Sequence, residues 1–374
     1  MMTERIDLPV SSVLITGGNG TLGRSIVDLL LKTVPSLKLI RLFDMNPEGR
    51  EYFEKLLAKG HKTKIEYEVG DIQDRQALQK MLQGIEAVFH TAGIMDVTMF
   101  PNASLMWSVN CRGTQNLMEE SLSAKVRYFI HTSSVNSVIG KEGGADLAES
   151  DCTKPDSWHW QTYGETKWFA EQIVLEADNL PLPNDLTIRT LCLRPTMFYG
   201  ENDHMNILKI LQLARGFGGK LVRIGTAEDM TVQQTYVGNV AWAHLLALKA
   251  LTERPDDCAG RAYFVTDNTP LGNLSDFAEP FLKDSGMKLT SFSIPFKLVY
   301  FISLLLLFAV NLVRKFIPEW RPSKSWDVSM MQLVFPTMKC SFSRKEAEER
   351  LGYSPLFTFE ESSERSRAYY RNKF

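Results

Sequence analysis

Along the first two-thirds of the chain, short apolar and β-branched runs recur at 13–16, 39–44, 65–69, 87–90 and 128–132. Each is followed by 10–20 residues of helical spacing, as at 21–32, 75–82 and 103–121. Runs that are apolar throughout, rather than alternating, belong to strands buried on both faces. In a repeated βα pattern this predicts a parallel sheet covered by helices on both sides. A further strand is expected at 187–194, ending at Pro195. Beyond it the pattern loosens into a helix near 206–215, a strand near 221–224, a helix starting around Val237 and a returning strand at 262–266. Helical spacing resumes at 344–351 and 357–370. The expected organisation is α/β: a doubly wound parallel sheet over 1–195, a smaller substrate-side region interleaved with it over 196–291, an apolar segment over 292–318 and a helical tail over 319–374. No internal repeat is present, which disfavours a solenoid.

Composition narrows the partners more than the fold. The 374 residues carry 42 basic and 44 acidic side chains with no long block of one sign, so nucleic acid is not an expected partner. The five cysteines, Cys111, Cys152, Cys192, Cys258 and Cys340, contain no C-x-x-C pair. Neither a metal site nor a disulfide framework is expected, and reduced thiols in a cytosolic environment fit the pattern. The amino end lacks a basic region followed by an apolar stretch, so no secretory signal is expected.

The first strand runs into Thr16-Gly17-Gly18-Asn19-Gly20-Thr21-Leu22-Gly23, with glycines at 17, 20 and 23 between a strand and a helix. Such a turn lets backbone N–H groups approach a pyrophosphate, and the helix amino terminus adds about half a positive charge there. Context makes this a dinucleotide turn of Rossmann type rather than an ordinary loop. Twenty-one residues past Gly23 the second strand ends at Asp44, where a carboxylate accepts both adenosine ribose hydroxyls and repels a 2′-phosphate. No basic residue follows at Met45 or Asn46, so NAD is expected rather than NADP. Asn19 belongs to the same turn, and Gly70-Asp71 and His90-Thr91-Ala92-Gly93 are further polar or small strand ends. Asn19, Asp71 and Ala92 are therefore counted with the cofactor residues.

Tyr163 and Lys167 form a Y-x-x-x-K pattern heading a helix-like run to Ala177. Spacing of four puts both on one helical face, where an ammonium favours a phenolate. The phenol can then exchange a proton with a substrate alcohol while hydride moves to nicotinamide. A strand end at His131-Thr132-Ser133-Ser134 precedes the pattern, and either serine could hold the reacting oxygen. Asn110 sits in a helical run where a structural or a catalytic role is open.

At this point the chain resembles the extended short-chain dehydrogenases, and specifically the 3β-hydroxysteroid dehydrogenase/isomerase family. The segments that carry the resemblance are TGGNGTLG, HTAGIMDV, VNCRGTQN, FIHTSSV, YGETK, LRPTMFYG, TYVGNVAWAHLLAL, FVTDNTP and ERLGYSPLFTFEE, in order from Thr16 to Glu361. YVGNVAWAH, beginning at Tyr236, is the most particular of them. The resemblance implies an NAD-bound Rossmann domain that oxidises a steroid or sterol 3β-hydroxyl to a ketone. It also implies attachment to internal membranes through an apolar segment. It makes Ser134, Tyr163 and Lys167 the catalytic group and Gly17, Gly20, Gly23 and Asp44 dinucleotide contacts. Members that also shift the steroid double bond tend to carry two acids before Thr-Pro. This chain has Asp267-Asn268 there, leaving Asp267 as the one candidate isomerase acid/base. The loop 135–140 is one residue longer than the family's usual form.

The apolar stretch 298–313 is interrupted only by Ser303 and Asn311 and followed by Arg314-Lys315. As a helix it spans roughly 24 Å, short of the roughly 30 Å hydrocarbon core. One reading is a buried core helix; the preferred one is a helix lying in a membrane surface with its cationic end near headgroups. On that reading the protein sits on an intracellular membrane, endoplasmic reticulum in preference to mitochondrion, with its catalytic part on the cytosolic side. A homodimer stays open. Two other functions compete: a decarboxylating sterol-4-carboxylate 3-dehydrogenase, which needs a cationic contact for its substrate, and a non-catalytic NAD-binding sensor or scaffold.

Overall fold

The structure is a computed structural model describing residues 5–58, 60–98, 101–140, 143–158, 161–183, 185–225, 231–317, 320 and 339–373. Five strands open it: β1 (Ser12–Thr16), β2 (Leu39–Asp44), β3 (Lys64–Val69), β4 (Ala87–His90) and β5 (Tyr128–Thr132). There follow β6 (Gly144–Leu147), β7 (Arg189–Pro195), β8 (Met197–Tyr199), β9 (Lys220–Ile224), β10 (Thr231–Val232), β11 (Gln234–Tyr236), β12 (Ala262–Val265), β13 (Lys288–Ile294) and β14 (Lys339–Phe342). Seven of these form one sheet in the order β12–β7–β5–β4–β1–β2–β3, every pair parallel. Chain order reverses between β1 and β4, which opens a crevice at their carboxyl ends, the place where ligands bind in such sheets. The α/β doubly wound sheet expected from the apolar runs is the observed one.

Burial explains why the strands read so clearly. All five residues of β1 and all four of β4 are buried, as sequence runs without alternation require. The outer strand β3 instead carries Lys64, Glu66 and Glu68 outward, with Lys64 and Arg41 paired to Glu66. Charge on an edge discourages pairing with another sheet. The opposite edge, β12, is covered by the helix Lys345–Leu351, whose Ala347 and Leu351 are buried, and by Tyr353, whose hydroxyl donates to Thr266 O at 3.0 Å.

Helices α1 (Thr21–Thr33), α2 (Gly49–Leu57), α3 (Arg75–Leu82), α4 (Ala103–Met106), α5 (Thr114–Ser123) and α6 (Gln161–Glu176) cover the first half. The expected helix at 103–121 is interrupted: α4 passes into a π-helical turn, Trp107–Gly113, before α5 begins. Later come α7 (Ile207–Gly216), α8 (Val237–Glu253), α9 (Pro255–Cys258), α10 (Leu274–Asp284) and α11 (Phe296–Phe316). Helix α8 is apolar on nearly every side, with thirteen buried residues, and packs against α1 and the sheet. The strand expected near 221–224 is β9; its parallel partner β13 and helix α10, with Pro280 inside it, were not expected from the pattern.

The buried-core reading of the apolar stretch is corrected. Helix α11 is longer than 298–313, and none of its described side chains is buried; Phe301, Leu305, Phe308 and Phe316 are all more than half exposed. Among the described residues no helix is long and apolar enough to cross a membrane. Of the expected tail at 319–374, residues 321–338 lie outside the described residues, and the helices Lys345–Leu351 and Phe359–Arg371 form its end.

Candidate active site

The glycine turn leaves β1 at Thr16 and enters α1 at Thr21. Gly17 has φ +69°, and a Cβ there would stand 2.7 Å from the Ala92 backbone nitrogen, so conformation and space both require glycine. A Cβ on Gly23 would collide with the Gly17 carbonyl. Gly20 differs, since its Cβ would meet only the Gly17 carbonyl at 3.2 Å, and its open side faces two cavities. Gly20 is also the N-cap of α1 with no side-chain cap, and the first turn holds no acid. The uncapped N–H groups and the helix dipole suit an anion such as a pyrophosphate.

The two cavities, of about 470 Å³ and about 180 Å³, share Gly17, Gly20, Thr91, Gly93 and Ile94. The smaller is walled by Phe43, Asp44, Asp71 and Ala92 among others. Asp44 accepts Asn19 N and Asn46 N, each at 2.9 Å, one on each oxygen. Each oxygen keeps a lone pair for a hydroxyl, so the residues present fit an adenosine ribose. Asp71 accepts from Gln73 N at 2.9 Å and holds its turn closed. Asn19 lines neither cavity. Its backbone braces Asp44 and its side-chain oxygen takes the Arg24 guanidinium, so it supports the carboxylate from behind instead of touching a cofactor, as the turn had suggested.

The larger cavity gathers Ser133, Ser134, Tyr163 and Lys167. Helix α6 carries Tyr163 and Lys167 one turn apart, and the end of β5 carries the serines. The Ser134 hydroxyl lines the same cavity as the Tyr163 phenol, and it accepts from Asn136 N and Asn136 Nδ2, both at 3.2 Å. The Ser133 Oγ is buried with no hydrogen-bond partner. Burial pushes the Tyr163 phenol up to about 12, while the influence of the Ser134 hydroxyl draws it down. Lys167 lines the cavity with the phenol, and its ammonium has acceptors that helical spacing does not reveal: Nζ donates to Thr132 O at 2.6 Å and stands 3.5 Å from His131 Nε2. Burial draws the Lys167 ammonium down to about 8.

Asn110 lies in the π-helical turn and ties three segments. It accepts from Ile94 N at 2.8 Å, and its amide donates to Ile94 O at 2.9 Å and Thr166 Oγ1 at 3.0 Å. The longer helical turn places it between the crevice and α6, a job that helical periodicity alone does not reveal.

Asp267 is corrected. Its oxygens accept Tyr236 N and Asn239 Nδ2 at 2.8 Å and Thr269 N at 2.9 Å, so it fastens the start of α8 to the loop after β12. It does not line the cavity, and a carboxylate spent on three N–H donors is no acid/base for a substrate there. Sequence reasoning missed the wall made by Ile94, Met95, Val97, Met197, Phe198 and Met205. The only signal for it was position just past a strand end: Ile94, Met95 and Val97 follow β4, Met197 and Phe198 lie in the three-residue β8 that follows β7, and Met205 lies on the loop after β8.

Comparison with known proteins agrees with this layout. Over residues 14–298 the sequence matches the family described as 3-beta hydroxysteroid dehydrogenase/isomerase family. Among solved structures, the UDP-glucuronic acid 4-epimerase from Bacillus cereus in complex with UDP-glucuronic acid and NAD is similar with a TM-score of 0.69 at 20% identity, over 97% of this chain and 100% of that one. A short-chain dehydrogenase/reductase superfamily protein from Agrobacterium tumefaciens with bound NAD gives 0.61 at 19% identity, over 97% and 98%. MoeE5 in complex with UDP-glucuronic acid and NAD gives 0.67 at 18% identity, over 97% and 100%. These likenesses show the shared fold alone, and the match over 14–298 shows more: the chain belongs to the 3-beta hydroxysteroid dehydrogenase/isomerase family.

Proposed function

We propose that the protein is an NAD-dependent dehydrogenase that oxidises the 3β-hydroxyl of a steroid or sterol to the 3-ketone. The observation that carries this reading is the meeting of Ser134, Tyr163 and Lys167 in one cavity with the Gly17–Gly20 turn, opposite a wall of Met95, Val97, Met197, Phe198 and Met205. Bound NAD would supply the hydride acceptor, its pyrophosphate at Gly17 and Gly20 and its adenosine beside Asp44. Ser134 holds the substrate oxygen by hydrogen bond, and Tyr163, as the phenolate that the neighbouring Lys167 ammonium favours, takes up the hydroxyl proton and is left as the neutral phenol. Lys167 does this from its place in the same cavity, with its ammonium on the Thr132 carbonyl. Thioether and aromatic side chains suit a rigid apolar body, adapting to its shape without polar contacts.

Among the described residues lining this cavity Lys167 is the one cation, and it is committed to the tyrosine. A substrate 4-carboxylate would find no separate partner among those residues, which disfavours the decarboxylating alternative. The fastening role of Asp267 argues for oxidation without isomerisation by that residue. Retention of the whole catalytic group argues against a scaffold. We place helix α11 on a membrane surface, intracellular and in the endoplasmic reticulum by preference, where its exposed Phe301, Leu305 and Phe308 meet lipid and a sterol reaches the cavity from the bilayer.

The test is NADH formation with paired 3β-hydroxysteroids and sterols, with and without a 4-carboxylate, and product mass read in parallel. A 3-ketone formed by the native chain and not by Tyr163→Phe is the expected result. Turnover of UDP-sugars with none of sterols would overturn the substrate class.

A further inference from the structure

The catalytic lysine is held by an unusual set of neighbours. Its ammonium has a carbonyl acceptor, Thr132 O at 2.6 Å, and a ring nitrogen, His131 Nε2, at 3.5 Å. No carboxylate joins them. Glu171, one turn further along α6, is bound to Arg194 through Nη2 at 2.5 Å and Nε at 2.9 Å. The thiols of Cys111, from the π-helical turn, and Cys192, on β7, are both pushed up by burial and stay neutral.

Hydrogen-bond roles then fix the state of the imidazoles. An ammonium only donates, so His131 Nε2 accepts and its proton sits on Nδ1, which is buried with no partner within bonding geometry. His90, on β4, stacks on His131 with ring centres 4.9 Å apart. Its Nε2 reaches Thr114 Oγ1 at 2.8 Å, and that hydroxyl donates to Asn110 O at 2.5 Å, so His90 Nε2 carries the proton. His90 Nδ1 therefore accepts from Thr16 Oγ1 at 2.7 Å. His244, on α8, donates from Nδ1 to Val240 O at 2.8 Å and accepts from Thr132 Oγ1 at 2.7 Å. That last bond anchors the residue whose carbonyl holds Lys167. Burial keeps all three rings neutral, so none competes with the lysine for its proton.

We propose that His131 is a positioning residue for the oxidation, its neutral Nε2 giving the buried Lys167 ammonium a second fixed acceptor that keeps it charged and within reach of Tyr163. Resting on the dehydrogenase reading, the inference deepens it by naming what holds the lysine. A phenyl ring at 131 fills the same space without a lone pair, whereas a glutamine offers Oε1 at about the reach of Nε2. With one acceptor lost, the ammonium gives up its proton more readily, and Tyr163 loses the charge that stabilises its phenolate.

The test is the titration of the Lys167 amine by nuclear magnetic resonance of the full chain, labelled at the lysine side chains and saturated with NAD. Native protein, His131→Phe and His131→Gln are each measured with and without Lys167→Met, so that the difference isolates one amine. The expected result is a Lys167 transition about one pH unit lower in His131→Phe and restored in His131→Gln. Turnover should follow, with kcat about tenfold lower between the native and variant transitions and KM unchanged. If His131→Phe does not fold, His131→Leu takes its place. An unmoved transition in the apolar variant, or an equal shift in the glutamine variant, overturns the proposal. The titration needs no sterol, so a failed substrate panel with a shifted amine sinks only the substrate class.

Discussion

Acidification should unfold this protein through three histidines. His90, His131 and His244 are at most 1% exposed, and burial draws His90 down to about 3 and His244 to about 4, with His131 well below its ordinary value. In the unfolded chain each ring titrates near 6.5. Below that pH the unfolded state binds protons that the folded state refuses, so stability present at neutral pH is lost as pH falls toward the folded values. Each ring costs about 1.4 kcal/mol per pH unit below about 6.5, or about 2 kcal/mol at pH 5. Three rings together remove about 6 kcal/mol, comparable with a whole domain's stability of about 5–15 kcal/mol. Urea unfolding between about pH 5 and 6.5, above the range where most carboxylates titrate, should show stability falling by about 4 kcal/mol per pH unit. His244→Gln, which removes one titrating ring, should reduce that slope by about 1.4 kcal/mol per unit. An identical slope in the variant would refute the claim that burial holds this ring neutral.

Three further outcomes follow from the site. Gly17→Ala, forced into φ +69° against the Ala92 nitrogen, should lose more than about 1 kcal/mol in urea and bind NAD more weakly by calorimetry. Asp44→Ala should raise the NAD Kd about tenfold and narrow the preference over NADP, since a hydroxyl acceptor and a repelling charge leave together. Asp267→Asn keeps one acceptor oxygen but turns an amide donor toward the N–H group or groups on the other, and should cost about 1–3 kcal/mol of stability. The folded Asp267→Asn protein should keep its rate of NADH formation, and a rate collapse without destabilisation would return Asp267 to the chemistry.

The sheet and the cofactor crevice were legible because their signals are local. Val13–Ile15, Ala87–Phe89 and Phe129–Ile130 are buried on both faces, so hydrophobicity alone marks them, and Gly17 and Gly23 are demanded by backbone geometry. Tyr163 and Lys167 could be paired from spacing, but spacing does not say that Lys167 would donate to Thr132 O. What stayed hidden depends on contacts distant in sequence. Asp267 reads as an acid near a motif until Tyr236 and Asn239, 31 and 28 positions away, are seen to claim its oxygens. Asn19 reads as a cofactor contact until its backbone is seen to brace Asp44, 25 positions away. Strand β13 was missed because KLTSFSI is half exposed and gains its order only from pairing with β9.

One late element governs where this chain can be cut. The Tyr370 hydroxyl, in the helix Phe359–Arg371, donates to Asp203 Oδ2 at 2.9 Å and accepts from Gly200 N at 3.2 Å. Asp203 in turn receives Met205 N at 2.8 Å and Asn206 N at 2.9 Å, and all three of those residues line the larger cavity. A fragment trimmed to the family-matched span would keep every catalytic side chain yet lose the strut behind the substrate wall. Engineers seeking a minimal catalytic core therefore have to retain the carboxyl-terminal helix, because it holds the Asp203–Asn206 side of the larger cavity in place.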